Sequence, residues 1–94
     1  MRLILAMLVF VVQSHAQSFT LSGTITDATT NETLIGASIF VSETRSGITT
    51  NEYGFYSLTL PAGTYTVTVS YVGFGTVTET VTVSENLPRN IRLS

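Results

Sequence analysis

Cysteine, lysine and tryptophan are absent from the 94 residues, and histidine occurs once, at His15. Each absence closes a class of chemistry. Without cysteine there is no disulfide, no thiolate nucleophile and no lipid attachment of the bacterial lipoprotein kind. Without lysine there is no lysine base for a serine or threonine nucleophile and no isopeptide crosslink. Beyond His15 no imidazole remains to serve as base for a serine or threonine nucleophile, or as a zinc ligand. Charge is also scarce: 11% of the residues are charged, and beyond residue 16 three arginines (Arg45, Arg89, Arg92) face six acids, a net charge of −3. That balance offers no basic face to nucleic acid or anionic lipid. The expectation is a module that is not an enzyme, with no catalytic, cofactor-binding or metal-ligating residue.

Long apolar runs are missing too, apart from one. Leu3 to Val12 is ten apolar residues behind Met1 and Arg2, followed by small residues at Ser14 and Ala16. A helix crossing a bilayer needs roughly twenty such residues, so this run is too short to span and reads as a secretory signal cut between Ala16 and Gln17. Residues 1–16 are thus expected to be a cleaved signal and 17–94 one exported domain, with no direct insertion into the membrane. A core of that size, unstapled by disulfides, holds only about 3 to 5 kcal/mol.

What is present favours strands. Serine and threonine make up a third of residues 17–94, and from Phe19 onward the apolar period is two, not 3.6. Phe19, Leu21, Gly23 and Ile25 alternate with Thr20, Ser22, Thr24 and Thr26 through Asp27. Gly36 to Val41 sets Ala37, Ile39 and Val41 on one side, and a short run follows from Ile48 to Thr50. Asn51-Glu52-Tyr53-Gly54 reads as a turn leading to Tyr56, Leu58 and Leu60. Leu60-Pro61-Ala62-Gly63 reads as a corner with Gly63 left-handed, then Tyr65, Val67, Val69 and Tyr71 share a face. Gly73-Phe74-Gly75 turns the chain into Thr76 to Val83, and Asn86-Leu87-Pro88 leads to a last strand with Ile91 and Leu93. These seven runs predict an all-β, seven-stranded antiparallel β-sandwich.

The places where chemistry could gather are few. Glu43 with Glu52, or Asp27 with Glu32, would be a carboxylate pair, but a sandwich this small has no cleft for a sugar chain. The loop Asp27 to Glu32 collects oxygen ligands without the spacing of a calcium loop. Tyr53, Phe55 and Phe74 lie at turns, where aromatic rings either pack the hairpin ends or form a platform for glycan.

The ordered segments Leu21-Ser22-Gly23-Thr24-Ile25-Thr26-Asp27, Thr33-Leu34-Ile35-Gly36-Ala37-Ser38-Ile39 and Gly47 to Leu58 resemble the carboxypeptidase-regulatory-like domain family. Leu60-Pro61-Ala62-Gly63-Thr64-Tyr65 followed by Val69-Ser70-Tyr71-Val72-Gly73-Phe74 is similar to the version carried by starch-utilisation-type TonB-dependent outer-membrane receptors. Thr33 stands where the family usually has proline, and Asn51 where it has aspartate. The resemblance implies a sandwich of Ig- or prealbumin-like, Greek-key topology, in the periplasm and associated with the outer membrane. There it would act through protein contacts with the receptor's plug and barrel, or with the energy-transducing machinery. Such receptors continue far past their first domain, and the resemblance leaves open a piece of a receptor or a free-standing copy. The alternative function is a free secreted sandwich that binds glycan or protein.

Overall fold

The computed structural model describes residues 17–94; the signal read over 1–16 lies outside them. Eight strands follow in order: β1 (Ser18–Asp27), β2 (Ser38–Val41), β3 (Ser46–Thr49), β4 (Phe55–Pro61), β5 (Gly63–Ser70), β6 (Val77–Val83), β7 (Leu87–Pro88) and β8 (Ile91–Leu93). One sheet runs β3-β2-β5-β6; in the other, β1 pairs with β4 on one side and with β7 and β8 on the other. The two inner faces meet in a single core of alternate residues, among them Leu21, Ile25, Ala37, Ile39, Val41, Tyr56, Val67, Val69, Val83 and Leu93. The chain is the all-β sandwich that its period of two implies.

The pairing departs from seven antiparallel strands in one place. β7 and β8 are separate, and both run parallel to β1. Pro88 sits in β7 opposite Ser22, on an edge where its missing N–H costs no bond, and the ladder is interrupted after it, at Arg89 and Asn90. The gap is filled by other groups: Arg89 N donates to Ser22 O at 2.6 Å. Thr20 N donates to Asn86 Oδ1, and Thr24 N to Asn90 Oδ1, each at 3.0 Å. Two asparagine side chains thus stand in for strand carbonyls. Gly23 makes the approach possible, because a Cβ there would lie 2.0 Å from Arg89 O.

Three boundaries also shift. β2 begins at Ser38 rather than Gly36, whose φ of 78° lies outside the strand region. Thr50 leaves β3 to work with its side chain: the buried hydroxyl donates to Leu34 O at 2.5 Å and accepts from Ala37 N at 2.9 Å. Gly63 is the first residue of β5 and not among the glycines with positive φ. The corner it was expected to make is held instead by Tyr65, whose hydroxyl donates to Pro61 O at 2.6 Å, and by Ala62 N donating to Gln17 O at 3.0 Å. A tyrosine reaching back to the backbone at such a corner fastens one sheet to the next.

Candidate functional site

The connections at one end of the sandwich carry most of the exposed apolar side chains. They are the loop 28–37, the turn 50–54 and the turn 71–76, and Gly75 N donates to Ser94 O at 2.7 Å beside them. Local hydrogen bonds shape each one. Gly54 N donates to Asn51 O at 2.9 Å, while Asn51 Oδ1 accepts from Tyr53 N at 2.9 Å and Phe55 N at 3.1 Å. Asparagine thus closes the turn that the sequence placed here. Phe74 N donates to Tyr71 O at 3.0 Å, and Gly73 takes φ 88°, the value wanted at the third position of a type II turn.

That geometry forces the second position outward. Val72 is 93% exposed and Ile35 57%, whereas the other valines of the described residues are buried or half-buried. A shallow groove of about 380 Å³ lies next to them, lined by Gly36, Ser38, Ser70, Tyr71 and Val72, with no charged group. Tyr71 and Phe74 form its aromatic neighbour, their ring centroids 5.7 Å apart and tilted by 52°.

The residues singled out from the sequence are dispersed. Tyr53 is 70% exposed at the 50–54 turn and Phe55 40% exposed at the start of β4, but Phe74 is half-buried against the core. Glu43 and Glu52 lie beyond opposite ends of β3, so they form no pair. The Glu43 carboxylate takes Thr66 N at 2.7 Å and Thr66 Oγ1 at 2.9 Å, and the backbone bond from Thr66 holds its pKa below the usual carboxylate value. In the Asp27 to Glu32 loop, Asp27 Oδ1 accepts from Thr29 N at 2.8 Å, and Arg92 Nη2 donates to Asn31 Oδ1 and Ala28 O, both at 2.9 Å. Those oxygens serve the loop itself and an arginine. The apolar surface at Ile35 and Val72 was not picked out from the sequence. Its one local signal is a valine at the second position of a turn that Gly73 defines.

The family model of the CarboxypepD_reg-like domain matches residues 21–94. The chain belongs to that family. No curated protein matches the chain. Solved structures share the fold, two of them as follows. A DUF3823 family protein from Parabacteroides merdae superposes with a TM-score of 0.62 at 18% identity, covering 84% of this chain and 47% of that one. The Bacillus anthracis TIE protein superposes with a TM-score of 0.59 at 21% identity, covering 82% of this chain and 16% of that one. This chain therefore spans less than half the length of either, and identities this low speak to fold alone.

Proposed function

We propose that the chain is a non-catalytic contact module: the periplasmic amino-terminal domain of a TonB-dependent outer-membrane receptor for nutrient uptake. It acts through protein contacts with plug, barrel or energy-transducing machinery. The observation that carries this reading is the turn Tyr71 to Phe74, which presents Val72 at 93% exposure beside an uncharged groove. An apolar side chain held out by its own turn beside this groove, whose lining residue Gly36 follows the exposed Ile35, supports a surface that another polypeptide covers. Family membership over residues 21–94 agrees with a domain built for contact. The same turn belongs to the segment that resembles the receptor version. The test is to place a photo-crosslinking amino acid at position 72 in the host cell and fractionate the envelope. The expected result is recovery with the outer membrane, crosslinked to a β-barrel protein. Recovery from the cytosol, or from the medium without a crosslink, would sink the reading.

One observation favours a second reading, a free secreted sandwich that binds glycan. Tyr53 and Phe55 are both exposed, two residues apart, at one turn. Calorimetric titration with starch-type and mucin-type oligosaccharides decides it: binding heat that disappears in Tyr53→Ala supports this second reading, and no heat at millimolar ligand removes it.

A further inference from the structure

Five strands border the two sheets, and four of them carry something that discourages pairing with another chain, β8 by its length of only three residues. β6 has an inward-pointing charge at mid-strand, Glu79, bonded to Arg89 at 3.0 Å. β3 is four residues long and contains Gly47. β7 is two residues long and contains Pro88. Inward charges, short length and proline are the usual protections of a sheet edge. β4 is seven residues, Phe-Tyr-Ser-Leu-Thr-Leu-Pro, with no charge and with its proline only at the last position.

The free groups of β4 can be assigned. Ile25 N donates to Gly54 O and Ala62 N to Gln17 O, both in the β1–β4 register. Bonding alternates along an antiparallel pair, so Tyr56, Leu58 and Leu60 turn their backbone groups toward β1, and Phe55, Ser57, Thr59 and Pro61 turn theirs away. The outer two are already engaged. Phe55 N and O are both bonded to Asn51, and Pro61 O accepts from Tyr65. That leaves the N–H and C=O of Ser57 and of Thr59, which have no protein partner among the described residues.

We infer that β4 pairs with β4 of a second copy of this chain, antiparallel across a two-fold axis at Leu58. In that register Ser57 faces Thr59 of the other copy and Thr59 faces its Ser57, and each pair exchanges two hydrogen bonds. All the free groups are satisfied, and none is left over. Phe55 faces Pro61 of the other copy, which covers a ring that is 40% exposed in the single chain. Leu58 faces its own counterpart on the core side, and no charge opposes a like charge. The result is one sheet continuous through both copies. The exposed end at Val72 is left free, so the pairing stands or falls separately from the receptor reading.

Sedimentation equilibrium on the exported chain, from 10 µM to 1 mM, tests it. The expected result is a mass that doubles with rising concentration. Ser57→Lys with Thr59→Lys should hold the chain at monomer mass, because the added cations face each other directly. Mixing that variant with Ser57→Glu with Thr59→Glu should restore the doubled mass as a mixed dimer. That rescue cannot arise from misfolding of either variant. A chain that stays monomeric at 1 mM overturns the inference. So does a dimer that survives both lysines, or one that is abolished instead by Thr80→Lys on β6.

Discussion

The two flanks of this sandwich are closed by different means. On the flank of β6, β7 and β8, a chain interrupted at Arg89 and Asn90 is laced to β1 by Asn86, Asn90 and Arg89, Tyr56 donates its hydroxyl to Arg89 O at 2.5 Å, and Arg89 reaches Glu79 across the sheets. On the flank of β3 and β4, among the described residues, no side-chain hydrogen bond or ion pair joins the two strands, and the edge groups of Ser57 and Thr59 are unpaired. In a domain without disulfides, side-chain hydrogen bonds on one flank do the fastening that a crosslink does elsewhere. The other flank keeps an edge that can accept a strand.

The sharpest test of that contrast substitutes a glycine on each flank. In Gly23→Ala the new methyl would sit 2.0 Å from Arg89 O, a backbone atom, so the segment carrying β7 and β8 has to leave β1. Ile91 and Leu93 would lose their burial, and a buried aliphatic side chain contributes about 1.5 to 3 kcal/mol. The expected cost is thus about 3 to 6 kcal/mol, enough to unfold most of a domain this small. In Gly47→Ala on β3 the nearest atom lies at 3.2 Å, and a cost below about 1 kcal/mol is expected. Denaturant midpoints measure both, and equal costs would break the comparison.

Tyr56 comes next. Burial pushes its phenol up to about 12, opposed in part by the charge of Arg89. An unfolded tyrosine ionises near pH 10, so between about pH 10 and 12 the unfolded chain releases a proton that the folded one keeps. The stability due to the neutral phenol is complete below about pH 10 and is lost as pH rises toward about 12, on the order of 2 kcal/mol in all. Tyr56→Phe should cost about 1 to 3 kcal/mol at neutral pH, since Arg89 O is left without its donor. It should also flatten this alkaline loss. Urea melts at pH 8 and pH 11 check both, and a variant whose alkaline loss equals that of the wild type would remove Tyr56 from the account.

How much of this was legible beforehand depends on whether backbone or side chain makes the fold. The alternation of Tyr65, Val67 and Val69, and that of Leu21, Gly23 and Ile25, places the buried face correctly, because a period of two with large apolar residues has one stable orientation. Asn51 to Gly54 was legible because its asparagine and glycine have local roles. The split and parallel course of β7 and β8 was not. It depends on Asn86 and Asn90 meeting β1 at a sequence separation of 66, which no local pattern encodes. Gly63 was misread because the bond from Tyr65 to Pro61 holds its corner without a left-handed residue. For the candidate surface, the turn at Gly73 was foreseen but the outward side chain was not. A valine in an apolar run looks like core until the turn hydrogen bond fixes which position points away.

Asn90→Ala should be milder than Tyr56→Phe, about 1 kcal/mol, because the Thr24 N–H that loses its partner lies near solvent. Its informative readout is hydrogen exchange. Protection should fall at Thr24 N and be kept at Gly23 and Ile25, whose backbone faces β4. Loss of protection along all of β1 would mean that the two flanks are a single cooperative unit.

The smallest effect belongs to the most conspicuous contact. The Arg89–Glu79 ion pair spans the sheets at 3.0 Å, but the arginine side chain is half exposed, and pairs in such positions contribute about 0 to 1 kcal/mol. Glu79→Gln should shift the denaturant midpoint little, and the wild type should approach the variant as salt rises and screens the pair. A loss above about 2 kcal/mol that persists at 1 M salt would show that charge, rather than the asparagines and Tyr56, closes this flank. A small loss has a consequence for the opposite side: Glu79 is then kept less for stability than for its place at mid-strand, where a charge protects the β6 edge from pairing. In that case Glu79→Gln, nearly silent in folding, should add a second route to association, visible as species heavier than the dimer in sedimentation at 1 mM.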